Sequence, residues 1–325
     1  MNVRPLAEAG RGPAAALVTI LAAGLLGRSV LASLLDRPAV QTWTTIFVAI
    51  SVQAMPFLVL GVTVSGLIAA FVPDGWLARV LPRRASLAVP VAAMAGAMLP
   101  GCECGSVPVS SRLIARGASA PAALTFLLAA PAINPVVLVA TSIAFPGRPV
   151  MVLARFLASL LAAVVVGWSW ARWGRDDLTA RAHNGAHNDH GDGRLATFVG
   201  TALHDLRQAG GFLVLGAALA ATLQTVVPRS ALDRVAGAGP LAVLALAGLA
   251  VLLAVCSEAD AFIAASLAQF SLTARLAFMV VGPMVDVKLV AMQSGAFGRR
   301  FTLRFAPLTL LVAVASASLI GWWLL

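Results

Sequence analysis

The sequence predicts an all-α polytopic membrane protein. Three observations carry this: 60% of the 325 residues are apolar, only 11% are charged, and long apolar runs recur from end to end. Soluble domains carry about 45–50% apolar and about 25% charged residues. The mean hydropathy of +0.93 points the same way. This balance excludes an ordinary cytosolic enzyme, a disordered chain and a nucleic-acid binder. The formal charge is +10, and all but one of the 23 basic residues are arginine. They lie mostly between apolar runs, where they read as topology signals rather than a nucleic-acid face. Three cysteines, two of them in Cys102-Glu103-Cys104, form no disulfide framework.

A bilayer core of about 30 Å needs about 20 apolar residues per helix. Such runs occupy 13–35, 42–72, 119–145, 149–171, 209–228, 273–295 and 303–325. The first follows Arg4 and Arg11, as a signal peptide would. Its length, and Arg28 and Arg37 in place of a small-residue cleavage site, instead mark an uncleaved span. Two further apolar stretches are interrupted. In 86–116 the break is Pro100-Gly101, with Pro108 following; in 238–270 it is Cys256-Ser257-Glu258-Ala259-Asp260. Proline costs a helix interior about 3 kcal/mol and glycine about 1. Half-segments of about 12–18 residues reach only about 18–27 Å as helices, so the shorter ones do not cross alone.

An internal repeat relates the interruptions. Phe57-Leu58-Val59-Leu60-Gly61 recurs as Phe212-Leu213-Val214-Leu215-Gly216, and Pro73 as Pro228. Cys102 matches Cys256, and Ser119, Phe126, Pro131 and Asn134 match Ser271, Phe278, Pro283 and Asp286. The expected organisation is an N-terminal transmembrane helix (1–40), repeat 1 (41–172), a cytoplasmic polar loop (173–195) and repeat 2 (196–325).

Arginine placement tests how the copies are oriented. If each interrupted stretch crossed once, the two faces would hold 11 and 9 arginines, which is almost no bias. If each is a re-entrant hairpin, one face holds 15 and the other 5, as the positive-inside rule prefers. The hairpin reading places the N-terminus and the 172–208 segment in the cytoplasm. It gives each copy three spans plus a hairpin, so the copies are inverted, as in many secondary transporters. Nine to eleven full spans is the alternative.

Broken backbone at membrane depth survives only where it lines a cavity or is buried in protein. Four breaks are expected: the two hairpin tips, and unwound points at Pro131–Pro135 and Pro283–Lys288. Glu103, Glu258, Asp260 and Asp286 lie there, as does the only lysine, Lys288. Each charge at the bilayer centre costs about 2.5–3.5 kcal/mol on insertion scales, so such a cluster marks a solute or proton site. Glu258, Asp260, Asp286 and Lys288 are the candidates for proton coupling or an ion pair. Cys102, Glu103, Cys104, Asn134, Cys256 and Ser257 are the candidates for binding solute. Thiolates are soft ligands suited to trivalent arsenic, Cu(I) or Zn(II), although buried cysteine also serves as a small hydrophobe. Half-helix N-termini beyond each tip offer N–H groups to an anion.

Other features carry less. His183, His187 and His190 form a weak metal-binding candidate in a stretch that reads better as a solvated linker. Arg112, Arg116, Arg299, Arg300 and Arg304 read as interfacial anchors, and Trp168, Trp170, Trp173, Trp322 and Trp323 as an aromatic belt. No P-loop, catalytic triad or haem motif occurs, so neither ATP-driven transport within this chain, an enzyme nor a cofactor is expected.

At these same positions the chain resembles the ArsP-type predicted permeases. Leu99–Leu138 is similar to that family's P-x-C-x-C-G-x-x-P stretch with its following R-G-A-S and P-A-I-N-P-V segments. Cys256–Leu267 and Phe278–Leu289 are similar to its C-S-E-A-D and G-P-x-x-D-x-K segments. Glu103 stands where the family pattern has serine, an acid that suits a divalent cation. The resemblance implies a multi-pass inner-membrane protein. It also implies export of a small thiophilic solute such as a trivalent organoarsenical, and hence arsenic resistance. A transition-metal permease, or the membrane subunit of a two-component permease complex, stays open as an alternative. A partner subunit or a homo-oligomer would fit either.

Overall fold

The computed structural model describes residues 38–73, 84–98, 101–174, 193–226 and 239–325, with Gly75, Trp76, Arg79 and Pro82 between them. The expected first span (13–35), most of the 173–195 loop with His183, His187 and His190, and Pro100 lie outside the described residues.

Among the described residues the secondary structure is helical, without strands. In chain order the helices are α1 (Pro38–Phe71), α2 (Ala85–Met98), α3 (Glu103–Ala115), α4 (Ala120–Ile133), α5 (Pro135–Ala144) and α6 (Pro149–Trp173). They continue with α7 (Arg194–Val226), α8 (Pro240–Leu253), α9 (Asp260–Ser266), α10 (Leu272–Val281), α11 (Val287–Ala296) and α12 (Arg299–Leu324). Proline opens α5, α6 and α8, where its missing N–H is no loss and its fixed φ suits the first turn. The order long helix, four short helices, long helix thus occurs at 38–173 and again at 194–324.

Five segments are long and apolar enough to cross a membrane: α1, the α4–α5 pair, α6, α7 and α12. Their outward faces are apolar, as at Val52, Val139, Leu215 and Leu311, and the chain is a multi-pass membrane protein. At 14 residues each, α2 and α8 reach only about 21 Å, short of a hydrocarbon core of about 30 Å.

Phe47–Leu325 form one unit, and the packing described below lies within it. In the first half α2 runs parallel to α4. A Cβ on Gly167 would meet both Val89 and Thr125, and one on Gly96 would lie 3.0 Å from Ala130 N. The chain then returns along α3, which joins α4 through a tight turn at Gly117, with Ala118 N–H donating to Leu113 O. It therefore enters along α2 and leaves along α3 toward the end from which it came. The contact between Gly96 and Ala130 has a counterpart in the second half, where a Cβ on Gly282 would lie 3.8 Å from that of Ala250. The glycine has changed sides of the contact.

The breaks differ from the expected ones in extent. The first tip is shorter than 100–108, because α3 begins at Glu103 and carries Pro108 inside it. The second begins two residues earlier than Cys256: α8 ends at Leu253, and Ala254 takes a left-handed conformation (φ 47°). Helix α4 includes Pro131, so the first unwound point is the single extended residue Asn134. Helix α7 starts at Arg194, well before the apolar run at 209. Residues 194–208, expected to be loop, form its first four turns, where apolar and polar residues mix.

Candidate functional site

The four breaks meet. Asn134 ends α4 with extended backbone (ψ 159°), and its Oδ1 accepts from Val137 N–H at 3.0 Å, capping α5. Its Nδ2 donates to Ala130 O at 2.8 Å and to Gly101 O at 3.1 Å, tying the first tip to the first unwound point. Asp286 does the matching work in the second half: ψ is 169°, and Oδ1 accepts from Leu289 N–H at 2.5 Å, capping α11. A short polar side chain at an N-cap satisfies a helix N–H that has no intrahelical partner.

Each tip is tied to the other half of the chain. Helix α3 packs on α11, and α9 on α5. Lys288 Nζ, from α11, donates to Glu103 Oε1 at 2.6 Å, and both side chains are inaccessible to solvent. The same ammonium lies 3.4 Å from Ala254 O, 3.9 Å from Asp286 Oδ2 and 4.0 Å from Cys256 Sγ. In the mirror-like contact, Arg155 of α6 reaches the second tip. Its Nη2 donates to Asp260 Oδ2 at 2.7 Å and to Ser257 O at 3.2 Å, while Nη1 donates to Thr141 Oγ1 at 2.9 Å.

The three cysteines are free and buried, and the Cys102 thiol neighbours those of Cys104 and Cys256. Among the described residues, several polar atoms at the breaks have no hydrogen-bond partner: Glu103 Oε2, Ser257 Oγ, both Glu258 oxygens, Asp260 Oδ1 and Asp286 Oδ2. Buried polar atoms are normally satisfied, so this concentration marks a place where something polar belongs. Among the described residues, no group of three or more His, Cys, Asp and Glu side chains is disposed to hold a metal ion.

All ten candidate residues from Cys102 to Lys288 thus lie at these breaks, and Cys102, Glu103, Cys104, Cys256, Asp286 and Lys288 share one neighbourhood. Three expectations need correction. The half-helix N-termini are not free for an anion: Glu103 and Asp260 occupy the first turns of α3 and α9, and Asn134 and Asp286 cap α5 and α11. Arg112 is not an interfacial anchor but a buried residue 3.5 Å from Asp205, whose other oxygen accepts from Ser65 Oγ at 2.5 Å. Trp170, expected in an aromatic belt, packs edge-on against Phe301 and Phe305, whereas Trp168, Trp173, Trp322 and Trp323 are exposed.

Sequence reasoning missed Arg155. Its signal was an arginine in the second turn of a 25-residue apolar helix, inside the span, which membranes tolerate only where it is paired.

Unwound helices meeting on buried charges in a multi-pass helical protein define the class: a membrane permease. The chain belongs to the ArsP_1 family, described as "Predicted permease", whose sequence profile matches residues 39–322. It is 36% identical over 281 residues to the UPF0718 protein YcgR of Bacillus subtilis (strain 168), covering 85% of this chain and 96% of that protein. It is 31% identical over 283 residues to a putative two-component membrane permease complex subunit of Streptococcus mutans serotype c, covering 85% and 94%. No solved structure matches.

Proposed function

We propose that the chain is a secondary permease exporting a small thiophilic solute, such as a trivalent organoarsenical, through a site shared by two inverted repeats (41–172 and 196–325). The N-terminus and the 173–195 loop are cytoplasmic in this reading, in a bacterial inner membrane. The observation that carries it is the meeting of Cys102, Cys104 and Cys256 with partnerless carboxyl oxygens at the four breaks. Three soft sulfur atoms suit a trivalent arsenical.

Charge counting supports coupling to protons. Four carboxyl groups, Glu103, Glu258, Asp260 and Asp286, face two cations, Arg155 and Lys288. Neutrality at depth then calls for two bound protons or a cationic solute. The cations differ in kind: arginine does not deprotonate, so Arg155 fixes Asp260, while Lys288 is free to exchange among Glu103, Asp286 and the solute. Glu258, whose two oxygens have no side-chain hydrogen-bond partner among the described residues, is the acid best placed to carry a proton.

Uptake of methylated trivalent arsenicals into everted vesicles, with and without a proton gradient, tests the reading. Gradient-dependent uptake that falls in Cys102→Ser/Cys256→Ser is expected. Equal uptake by wild type and that variant would remove the thiol role. A second reading is favoured by the name of the streptococcal relative: the chain as membrane subunit of a two-component permease complex. Uptake that appears only when a second membrane protein is co-expressed would favour it.

A further inference from the structure

A cavity of about 560 Å³ lies between α3, α7 and α11, outside the site described above. Three helix directions agree on which end faces the centre. Along α3 its lining runs from Val107 to Ala115, away from Glu103; along α11 from Met292 to Ala296, away from Lys288. Helix α7 runs the other way, with His204 at the far end and Phe212 at the near one. Gly216, one turn beyond Phe212, packs directly on Lys288, where an added Cβ would lie 2.7 Å from Lys288 Cα. Val107 and Met292 each follow the ion-paired residue of their helix by four positions, about 6 Å along the axis. The inner end is therefore apolar (Val107, Phe212, Met292) and stands one turn from the Glu103–Lys288 pair.

The outer end is polar and braced. Arg112 bridges to Asp205, Ser65 donates to the same carboxylate, and Arg116 donates to Ala69 O. Gln208 Nε2 donates to Gly295 O at 2.8 Å, fastening α7 to α11. These contacts tie α3, α7 and α11 together around the mouth, whereas the floor itself is made of apolar side chains.

The geometry points to this cavity as the water-filled vestibule through which a hydrophilic solute reaches the Glu103–Lys288 pair, closed at its floor by Val107, Phe212 and Met292. It rests on the permease reading and gives it an entrance. With the arginine-rich face cytoplasmic, the vestibule opens to the cytoplasm, as an exporter requires. A wet cavity is plausible only where polar groups line it, and here Ser111, Arg112, Asp205 and Gln208 do.

The test needs no solute. Ser111→Cys, in a chain keeping its native cysteines, is treated with a charged, membrane-impermeant maleimide in inverted vesicles and in intact cells, and the labelled peptides are identified by mass. Position 111 is expected to label in inverted vesicles only, with Cys102, Cys104 and Cys256 unlabelled. Removing the floor with Phe212→Ala, or with Met292→Ala if the first variant folds poorly, is expected to raise labelling of Cys104 or Cys256 at least about tenfold, because labelling follows the open population. Position 111 staying as inert as the buried cysteines, or labelling only from outside, overturns the proposal. So do floor variants that leave Cys104 and Cys256 closed. A failed arsenical assay leaves this result standing, and a dry cavity leaves that assay standing.

Discussion

Lys288 sits between two buried acids at the centre, and its removal should be among the costliest single changes. Its ammonium lies 2.6 Å from Glu103 Oε1 and 3.9 Å from Asp286 Oδ2, with no solvent on any of the three. At an effective dielectric of about 20 those separations correspond to attractions of about 6 and about 4 kcal/mol, largely offset by the desolvation of the charges. Lys288→Met leaves both acids buried without the cation, which costs about 3–5 kcal/mol. Glu103→Gln keeps the shape and an acceptor, and Asp286 still faces the ammonium, so its cost is about 1.5–3 kcal/mol. The double variant should be less destabilised than the sum of the singles. Unfolding by SDS titration in mixed micelles, followed by tryptophan emission, reads all three; the chain has seven tryptophans and no tyrosine. Glu103→Gln costing as much as Lys288→Met, or strictly additive effects, would refute the shared-cation arrangement.

Arg155→Met should cost about 3–5 kcal/mol in the same titration, and Arg155→Lys should recover only part, because one ammonium cannot span Thr141, Ser257 O and Asp260 together. Gly61→Ala puts a Cβ 2.3 Å from Gly105 Cα, forcing α1 off α3 at a cost of about 1–3 kcal/mol, whereas Gly211→Ala meets nothing and should stabilise α7 by up to about 1 kcal/mol. Thermal melts of the purified variants would show the contrast. Trp170→Ala removes two edge-on ring contacts between α6 and α12 and should lower stability by about 3–5 kcal/mol, with a matching loss of emission from a buried indole.

Much of this was legible in the sequence because membranes enforce simple rules. Apolar length marked the spans, and the proline, glycine and charged interruptions marked where the helices break. The match of Asn134 to Asp286 marked the two unwound points; that both residues cap the helix that follows is a product of the fold, since a residue that stops one helix and starts another must satisfy free N–H groups. What stayed hidden depended on packing. No local pattern says that Arg155 turns toward Asp260, or that Arg112 is drawn inward by Asp205 from an amphipathic stretch that reads as solvated. The extents of the breaks were misjudged for a related reason: Pro108 and Pro131 sit inside helices, both buried in protein, where membranes tolerate helical proline. Residues 194–208 looked like loop because Arg194, His204, Asp205 and Arg207 interrupt their apolar residues, so no unbroken apolar run forms there.

The central claim is that the first interrupted stretch dips into the bilayer and returns, carrying Cys102 and Glu103 to meet the second half. Ser86→Cys at the start of α2 and Ser119→Cys just beyond α3 bracket that stretch, and both positions are exposed. Labelled separately with an impermeant maleimide in intact cells and inverted vesicles, the two should react from one and the same face. Reaction from opposite faces would make 86–116 a full crossing, leaving the arrangement of inverted copies without its basis.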